Sequence, residues 1–356
     1  MTPQRIEKWL RRQHARRKKQ RVSSQCTLCK KPPSGSPRVM WVLGGDMSAG
    51  SSRIKGHLPH MRGDFEGSGW TSYIAYQGPI KYSFDAHLHW QRKDWKTHLE
   101  GLDIAVIETY MGNTLSLLKD CRQANVKTIL VLSDLDYNKL SKEMLELVDC
   151  IVVSSICLAE QGSSYHGHIR VVDDACEVPS MIHRNGPDRG NHPALVWTGS
   201  LSNYYQVEFL NEVLNDDALR DLQLYTITNH PEASHQYDHR TVWELAASYD
   251  IAVIPCRLDD WGKCKSSNRL VSFQTMGFPV VASRVPSYEP YLTEGETGFY
   301  ADTIEEWRKC LVALRDPILR ESIGGQAASN PALAQVSPEA CAIKWVQIYD
   351  ELMNAA

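Results

Sequence analysis

The sequence predicts an α/β protein with two facing, doubly wound Rossmann-like domains, and three observations indicate this class. From Arg38 onward, short apolar runs alternate with helical patterns, an order that produces parallel sheets covered by helices on both faces. A polar stretch at about residues 185–193 interrupts the alternation, which then begins again. A chain of 356 residues is also long enough for two domains.

Each predicted strand is a short apolar run without strict polar alternation, as expected for strands buried on both faces. The first series comprises residues 38–43, 103–107, 128–132, 150–154 and 169–172, and the second comprises 195–198, 222–227, 250–255, 279–282 and 297–300. Helical periodicity is clearest at 113–125 and 303–314. Right-handed crossovers would then give one parallel sheet for each series.

A last helix follows the second series. Ser337 is predicted as its N-cap, with Pro338 at the first helical position. Its apolar face, which must dock on a surface already folded, comprises Ala342, Trp345, Val346, Tyr349, Leu352 and Met353. We therefore divide the chain into a basic N-terminal arm at 1–37, an N-terminal domain at 38–188, a C-terminal domain at 189–336 and a docking helix at 337–356.

The basic charge is concentrated near the N-terminus. Residues 1–31 hold 11 of the 39 lysines and arginines and one acid, Glu7, which leaves 28 basic and 41 acidic residues elsewhere. Ile6, Trp9 and Leu10 share one helical face among the arginines, an arrangement that suits an anionic membrane surface. A solvated tail is the alternative. An acidic body without a recognition motif disfavours nucleic acid as a partner.

Composition excludes several classes of protein. With 42% hydrophobic and 23% charged residues, the chain is not a disordered, collagen-like or disulfide-scaffold sequence. It has neither an apolar run of about 18 residues nor the pattern of a secretory signal. We therefore expect a cytoplasmic protein with ten free thiols, peripheral on the inner face of the membrane if the arm binds lipid. Cys26 and Cys29 have zinc-ligand spacing, but no second ligand pair follows, so two loop thiols are favoured.

A glycine-rich loop follows the first predicted strand. Gly44 and Gly45 would let backbone N–H groups approach an anion, and the helix start after them favours negative charge. Arg53 would follow on that helix, so the loop is predicted to contact a phosphate. The spacing differs from the GxGxxG of dinucleotide-binding oxidoreductases, which fit poorly. A turn needed only for geometry is the alternative.

The most informative segment is residues 250–283. A strand ends at Pro255, a polar loop follows, and a helix then runs until Gly277. The polar residues where that helix begins are Lys265, Ser266, Ser267, Asn268 and Arg269. The serines can cap the helix, and a lysine beside free N–H groups makes a diphosphate site. Solvated charges around an ordinary cap are the alternative.

Several ordered motifs carry a resemblance to a known family. KSSNRLVSFQTMGFPVVAS at 265–283 resembles the donor-binding segment of the family-four-like GT-B glycosyltransferases, which use nucleotide sugars. The likeness continues in PSYEPYLTEGETGFYADTIEEWRKCLVAL, in SDLDYNKLSKEMLELVDCIVVSSICLAE with VVDDACEVP, and in LVWTGSLSN. It extends over about residues 38–335. The resemblance therefore implies the GT-B fold of two facing Rossmann-like domains.

The resemblance also implies roles for matching residues. Lys265 would contact the donor diphosphate, and Gly199 and Ser200 would sit at its phosphate or acceptor side. The residues near the nucleotide would be Pro286, Ser287 and Tyr288. The residues facing the transferred group or the acceptor would be Gly44 and Gly45.

The chain departs from the family pattern at two acidic positions. Alignment on Gly277 puts the family's two glutamates, eight residues apart, at Cys264 and Ser272. The second glutamate normally accepts hydrogen bonds from the ribose, so the base of the donor is left open. The alternatives are a catalytically inactive GT-B module that acts as a binding or scaffold subunit, and a transferase of another activated group such as a polyol phosphate.

Candidate acid–base residues lie at or just beyond strand ends in the first domain. They are Asp46, His57, Glu108 and Asp134. Asp134 and Asp136 form a D-x-D like that of metal-dependent glycosyltransferases, but we expect them far from the diphosphate and predict no metal site. Other polar residues interpreted as structural are His60, His87, His89, Asp259 and Asp260.

These observations predict a glycosyltransferase that moves a sugar from a nucleotide-activated donor to a glycan or lipid-linked glycan, as in polysaccharide biosynthesis for the cell envelope. The leaving diphosphate would be stabilised by Lys265 and a helix N-terminus in place of a metal. No cofactor beyond the nucleotide sugar, a co-substrate, is predicted. Retention of configuration is implied by the resemblance alone.

Overall fold

The computed structural model describes residues 38–58, 68–77, 92–108, 113–187 and 189–354. Within these ranges, none of the helices combines the length and the apolar character needed to cross a membrane. Several predictions fall outside the described residues: the basic arm at 1–37 with its lipid-binding face, Cys26, Cys29, His60, His87 and His89.

The first sheet has six parallel strands in the order β2-β1-β3-β4-β5-β6. Their bounds are β1 Arg38–Leu43, β2 Thr71–Gln77, β3 Ile104–Glu108, β4 Lys127–Leu132, β5 Cys150–Val153 and β6 Ile169–Val171. The chain passes from β1 to β2 on one side and then returns to β3 on the other, so the direction of winding switches between β1 and β3. Open parallel sheets bind ligands at such a switch, beyond the carboxyl ends of the strands.

The second sheet has five parallel strands in the order β11-β10-β9-β7-β8. Their bounds are β7 Ala194–Thr198, β8 Gln223–Ile227, β9 Ile251–Ile254, β10 Val280–Ala282 and β11 Phe299–Tyr300. The winding here switches between β7 and β9, which are neighbours in the sheet. The loops that follow these two strands are therefore the expected ligand loops of this sheet.

Helices connect the strands and cover the sheets. They are α1 (Gly50–Ser52, continued by a π turn at Arg53–His57), α2 (Arg92–Leu99), α3 (Thr114–Gln123), α4 (Lys142–Leu147), α5 (Ile156–Gly162), α6 (Tyr205–Leu214), α7 (Val242–Ala246), α8 (Asp260–Lys263), α9 (Asn268–Thr275), α10 (Ile304–Ala313), α11 (Pro317–Ala328) and α12 (Pro338–Asn354). Short 3₁₀ turns lie at Tyr137–Lys139, Leu201–Asn203, Pro286–Tyr288 and Pro331–Val336.

Both faces of the first sheet are buried, and β1 shows why its sequence lacks alternation. Met40 and Val42 pack in one apolar cluster with α2 and α3, whereas Val39 and Trp41 pack in a second cluster with α12. Successive side chains of a strand point to opposite faces, so a strand covered by helices on both sides must be apolar throughout.

The C-terminal helix α12 returns to the first sheet, as its apolar face predicts. The Trp345 ring meets the Trp41 ring edge-on, with the centroids 4.8 Å apart, and Trp70 Nε1 donates to Asp350 Oδ1 at 2.8 Å. The Ser337 hydroxyl accepts a hydrogen bond from the Ala340 backbone at 3.0 Å, as a cap. Met353, which was predicted on the apolar face, is exposed.

The predicted α/β class is confirmed by the two parallel sheets, and each predicted strand occurs with small shifts at its ends. Strand β2 at Thr71–Gln77 was not predicted. It lies at the edge of the first sheet, where no strand of the described ranges pairs with its outer side, and its sequence mixes polar and apolar residues accordingly. The domain boundary at 188 stays a prediction.

Candidate functional site

Two loops lie at the switch points of the two sheets. We call residues 44–52, after β1, the glycine loop, and residues 255–267, after β9, the lysine loop. Each loop follows the carboxyl end of a central parallel strand. Hydrogen bonds described below connect the region around the glycine loop with the second sheet, so both loops belong to one candidate site.

The glycine loop is organised by Glu108, which ends strand β3. The buried carboxylate accepts hydrogen bonds from the Gly44 backbone at 2.8 Å and from the hydroxyls of Ser51 and Ser52, each at 2.7 Å. These contacts use both carboxylate oxygens to hold the loop against the sheet. Glu108, predicted as a catalytic residue, is therefore placed to position the glycine loop.

Asp46 lies within this loop, and His57 lies five residues after its end. Asp46 is partly exposed and accepts hydrogen bonds from the backbone and the hydroxyl of Ser48. His57 is 5% exposed, and its Nε2 makes no hydrogen bond with any described residue. Burial lowers the pKa of His57, although the charges of Asp46 and Glu108 and a hydrogen bond with the Gly45 backbone favour the protonated ring. The ring is therefore neutral near pH 7.

Arg53 connects the glycine loop to the second half of the chain. Its Nε donates to Glu177 Oε2 at 2.6 Å, and its two terminal nitrogens donate to the Met47 carbonyl and the Tyr237 hydroxyl, each at 2.9 Å. Arg53 is 4% exposed. All three guanidinium nitrogens thus have protein partners, so this predicted phosphate or acceptor contact functions in the structure as a link between the sheets.

The lysine loop faces the first sheet through Lys265. Its ammonium lies 2.9 Å from Asp134 Oδ1, just beyond the end of β4, and 4.4 Å from the centroid of the Trp261 ring. The expectation that Asp134 lies far from the predicted diphosphate site is therefore wrong. The two residues are 131 positions apart, and only the packing of one sheet against the other brings them together.

The helix after the lysine loop, α9, begins as predicted but is not capped by a serine. Ser267 is the N-cap residue, yet its side chain makes no capping hydrogen bond because its backbone is already helical. The side chains of Asn268 and Arg269 instead donate to the carbonyls of Ala175 at 3.2 Å and Thr198 at 3.1 Å. These two side chains hold α9 in place, and Ser266 is partly exposed at its entrance.

The end of α9 follows the prediction. Gly277 has a φ of +79°, a left-handed conformation that favours glycine after a helix.

Of the remaining residues predicted to bind the nucleotide-sugar donor, only some lie beside the lysine loop. The Ser287 hydroxyl donates to the Lys265 carbonyl at 2.7 Å, while Pro286 is exposed. Tyr288 is 1% exposed, and burial raises its pKa to about 12, so it is a core residue. Gly199 is required beside the Trp197 ring, because a Cβ there would lie 2.6 Å from that ring.

Ser200 is exposed in the loop after β7, and its hydroxyl lies 2.8 Å from that of Ser202. Within the described residues, the Ser200 side chain makes no hydrogen bond to a residue of the lysine loop.

Three residues of the site were not predicted. Tyr237 and His239 lie in the loop after β8, where Tyr237 accepts from Arg53. Burial, followed by the charge of Arg53, lowers the pKa of His239. The negative charge of Asp46 acts in the opposite direction and raises that pKa. Trp261 is 42% exposed on α8. The cluster HQYDHR at 235–240 was the available signal, since polar residues after a parallel strand mark a ligand edge.

The two positions where the resembling family has glutamates are both buried here. Cys264 is 4% exposed, and its sulfur lies 2.7 Å from the sulfur of Cys157 on α5. Ser272 is fully buried within α9. Among the described residues, no group of three acidic, histidine or cysteine side chains could hold a metal ion.

The fold matches solved structures of glycosyltransferases. Sucrose-phosphate synthase from Thermosynechococcus elongatus has a TM-score of 0.63 and 14% identity, with 90% of this chain and 100% of the other covered. HepE from Anabaena, solved with UDP and glucose, has a TM-score of 0.63 and 10% identity over 90% and 100% of the two chains. A glycosyltransferase from Rickettsia africae has a TM-score of 0.54 and 12% identity over 91% and 100%.

No protein-family model matches the sequence, and neither does any curated protein. At 10–14% identity the likeness to the solved structures is one of fold. The two parallel sheets of six and five strands, with helices between them, agree with it. The chain therefore has the GT-B fold of two facing Rossmann-like units.

Proposed function

We propose that the protein is a glycosyltransferase that transfers a sugar from a nucleotide-activated donor to a glycan or lipid-linked glycan. One observation carries the proposal. Lys265 stands at the switch point of the second sheet, beside the start of α9, and its ammonium faces Asp134 of the first sheet at 2.9 Å. A cation beside free helical N–H groups, opposite a second loop, is the arrangement that a leaving diphosphate needs.

The donor class is supported by the fold and by what its relatives bind. HepE, which has the same fold, was solved with UDP, with UDP and glucose, and with UDP-glucose. We propose that a nucleoside diphosphate sugar occupies the lysine loop here, with its diphosphate on Lys265 and the N-terminus of α9. As the diphosphate approaches, Lys265 would exchange the Asp134 carboxylate for a phosphate oxygen.

We assign the acceptor to the side of the glycine loop. Of the four predicted acid–base residues, His57 and Glu108 are buried, whereas Asp46 and Asp134 are partly exposed carboxylates. Asp134 faces Lys265 on the donor side, whereas Asp46 lies in the glycine loop, so we assign to Asp46 the role of orienting an acceptor hydroxyl and receiving its proton. The transfer breaks the bond between the sugar and the diphosphate and forms a glycosidic bond to that hydroxyl on the same face of the sugar, as retention requires.

Metal independence and retention of configuration belong to the same proposal. Lys265 and the helix N-terminus supply positive charge for the diphosphate, so turnover should persist in EDTA. Retention rests on the resemblance of the 265–283 segment, and the anomeric signal of the product in NMR spectra tests it.

A turnover assay tests the proposed function. Purified full-length protein is incubated with a panel of nucleotide sugars and glycan or lipid-linked acceptors, and mass spectrometry follows the product and the nucleoside diphosphate released. We expect one donor to give a product heavier by one sugar residue, and Asp46→Asn to reduce turnover while nucleotide binding persists. If titration calorimetry shows that no nucleoside diphosphate binds, the proposal is wrong. A product carrying a different group identifies another transferase.

We propose further that residues 1–31 hold the enzyme on the cytoplasmic face of an anionic membrane. The 11 basic residues of this segment support the proposal, since each is worth about 1 kcal/mol near anionic headgroups. Co-sedimentation with phosphatidylglycerol vesicles should fall when these residues are deleted or salt is raised. Equal sedimentation of the truncated protein would show a solvated tail.

A further inference from the structure

Two thiols from different parts of the fold meet next to Lys265. Cys157 lies on α5, beside the first sheet, and Cys264 is the residue before Lys265 in the lysine loop. Their sulfur atoms are 2.7 Å apart, although 107 positions separate the residues in the chain. The Ser155 hydroxyl, at the start of α5, also donates to the Cys264 carbonyl at 3.0 Å. This hydrogen bond joins the backbone at Cys264 to the start of α5, so it keeps the two thiols close together.

We propose that Cys157 and Cys264 are a covalent modification site, at which a small-molecule disulfide converts the two thiols into a reversible disulfide bond that joins the lysine loop to α5. This inference does not depend on the proposed transferase activity. A disulfide bond is about 2.05 Å long, so the sulfur atoms need move only a few tenths of an ångström to form it.

The surroundings decide the order of the steps. Cys157 is partly exposed beside Ile156, which is 67% exposed, whereas Cys264 is 4% exposed. The Cys157 thiolate therefore attacks the small disulfide first, forms a mixed disulfide and releases one small thiol. Cys264 then attacks the Cys157 sulfur and releases the second small thiol. Two electrons pass from the cysteine pair to the small disulfide, and the two protons leave with the two small thiols.

The bond would fix the position of Lys265. This residue already contacts Asp134 across the site at 2.9 Å, and α5 also contacts the Pro286–Tyr288 turn of the second half. A covalent link at the adjacent residue would hold the lysine loop against the first sheet. Any movement of the lysine loop away from α5, such as one that admits a ligand, would then require reduction.

Peptide mapping by mass spectrometry tests the site directly. The full-length reduced protein is treated with glutathione disulfide, its remaining thiols are blocked with iodoacetamide, and it is digested without reduction. We expect a linked peptide pair containing Cys157 and Cys264, with a loss of two hydrogen masses from the intact protein. The pair should disappear in Cys157→Ser and in Cys264→Ser. It should persist in Cys256→Ser, a matched control that removes the other thiol of the lysine loop.

Two results would overturn the proposal. One is recovery of Cys157 only as its glutathione adduct after prolonged treatment, and the other is a linkage of Cys264 to a different cysteine. The rate gives an independent check. Burial raises the pKa of the Cys264 thiol to about 12, so closure of the mixed disulfide should accelerate with each unit of pH between 7 and 9. Circular dichroism of the serine variants confirms that they fold.

Discussion

Replacement of Lys265 by alanine should weaken the binding of a nucleoside diphosphate by about 5- to 30-fold. A hydrogen bond to a charged group contributes about 1.5–3 kcal/mol. Part of that is offset because Lys265 must first leave Asp134, and an ion pair with side chains 29% and 38% exposed is worth only about 0.2–1 kcal/mol. The net loss is about 1–2 kcal/mol, which corresponds to the stated change in Kd.

Titration calorimetry with UDP, the nucleotide present in the HepE structure, measures this change. Lys263→Ala is the matched control, because it removes the same charge from an exposed side chain two residues away. Urea denaturation should show that Lys265→Ala costs less than about 1 kcal/mol of folding free energy, since both side chains of its ion pair are partly exposed. Equal losses of affinity in the two variants would refute the placement of the diphosphate on Lys265 and would indicate a general charge effect.

Three further predictions concern the residues that build the site. Glu108→Gln should lower the free energy of unfolding by about 2–3 kcal/mol, because the amide replaces an acceptor of charge-assisted hydrogen bonds by a donor; Glu143→Gln, at an exposed side chain, should be nearly neutral in the same urea titration. Arg53→Ala should cost about 3–5 kcal/mol by leaving the buried Glu177 carboxylate without its cation, and a loss below about 1 kcal/mol would contradict the link between the sheets. Burial lowers the pKa of His57 in the folded state below the value of about 6.5 that the ring has in the unfolded chain. The unfolded state therefore binds more protons as pH drops below about 6.5, and the free energy of unfolding should fall. His57→Asn should flatten this dependence by up to about 1.4 kcal/mol per pH unit, and an unchanged slope in thermal unfolding from pH 7 to 5 would exclude the effect.

The sequence predicts the fold well because the signals for it are local. Each buried parallel strand must be apolar on both faces, so continuous apolar runs such as residues 103–107 and 150–154 can be recognised as strands from the sequence. Helix ends are equally local, as Gly277 shows with its positive φ after α9. The exception is strand β2, whose position at the sheet edge relaxes the demand for apolar residues and weakens the signal.

For the candidate site, the sequence predicted the positions of the loops but not the contacts that their side chains make. The lysine loop and the glycine loop follow strands, so their place at the ligand edge of each sheet can be inferred from the order of elements alone. Which side chains remain available there depends on partners elsewhere in the chain. Arg53 matched the expected type for binding phosphate, but Glu177 and Tyr237 engage it.

The sequence by itself determined that this protein has two parallel α/β sheets, a lysine at the start of a helix on the second, and a C-terminal helix that needs a surface to cover. Only the tertiary structure decided that Asp134 meets Lys265 and that Cys157 meets Cys264, 131 and 107 positions apart. Strands and helices follow from neighbours within a few residues, whereas such pairs depend on how one sheet packs against the other. No local pattern records that packing.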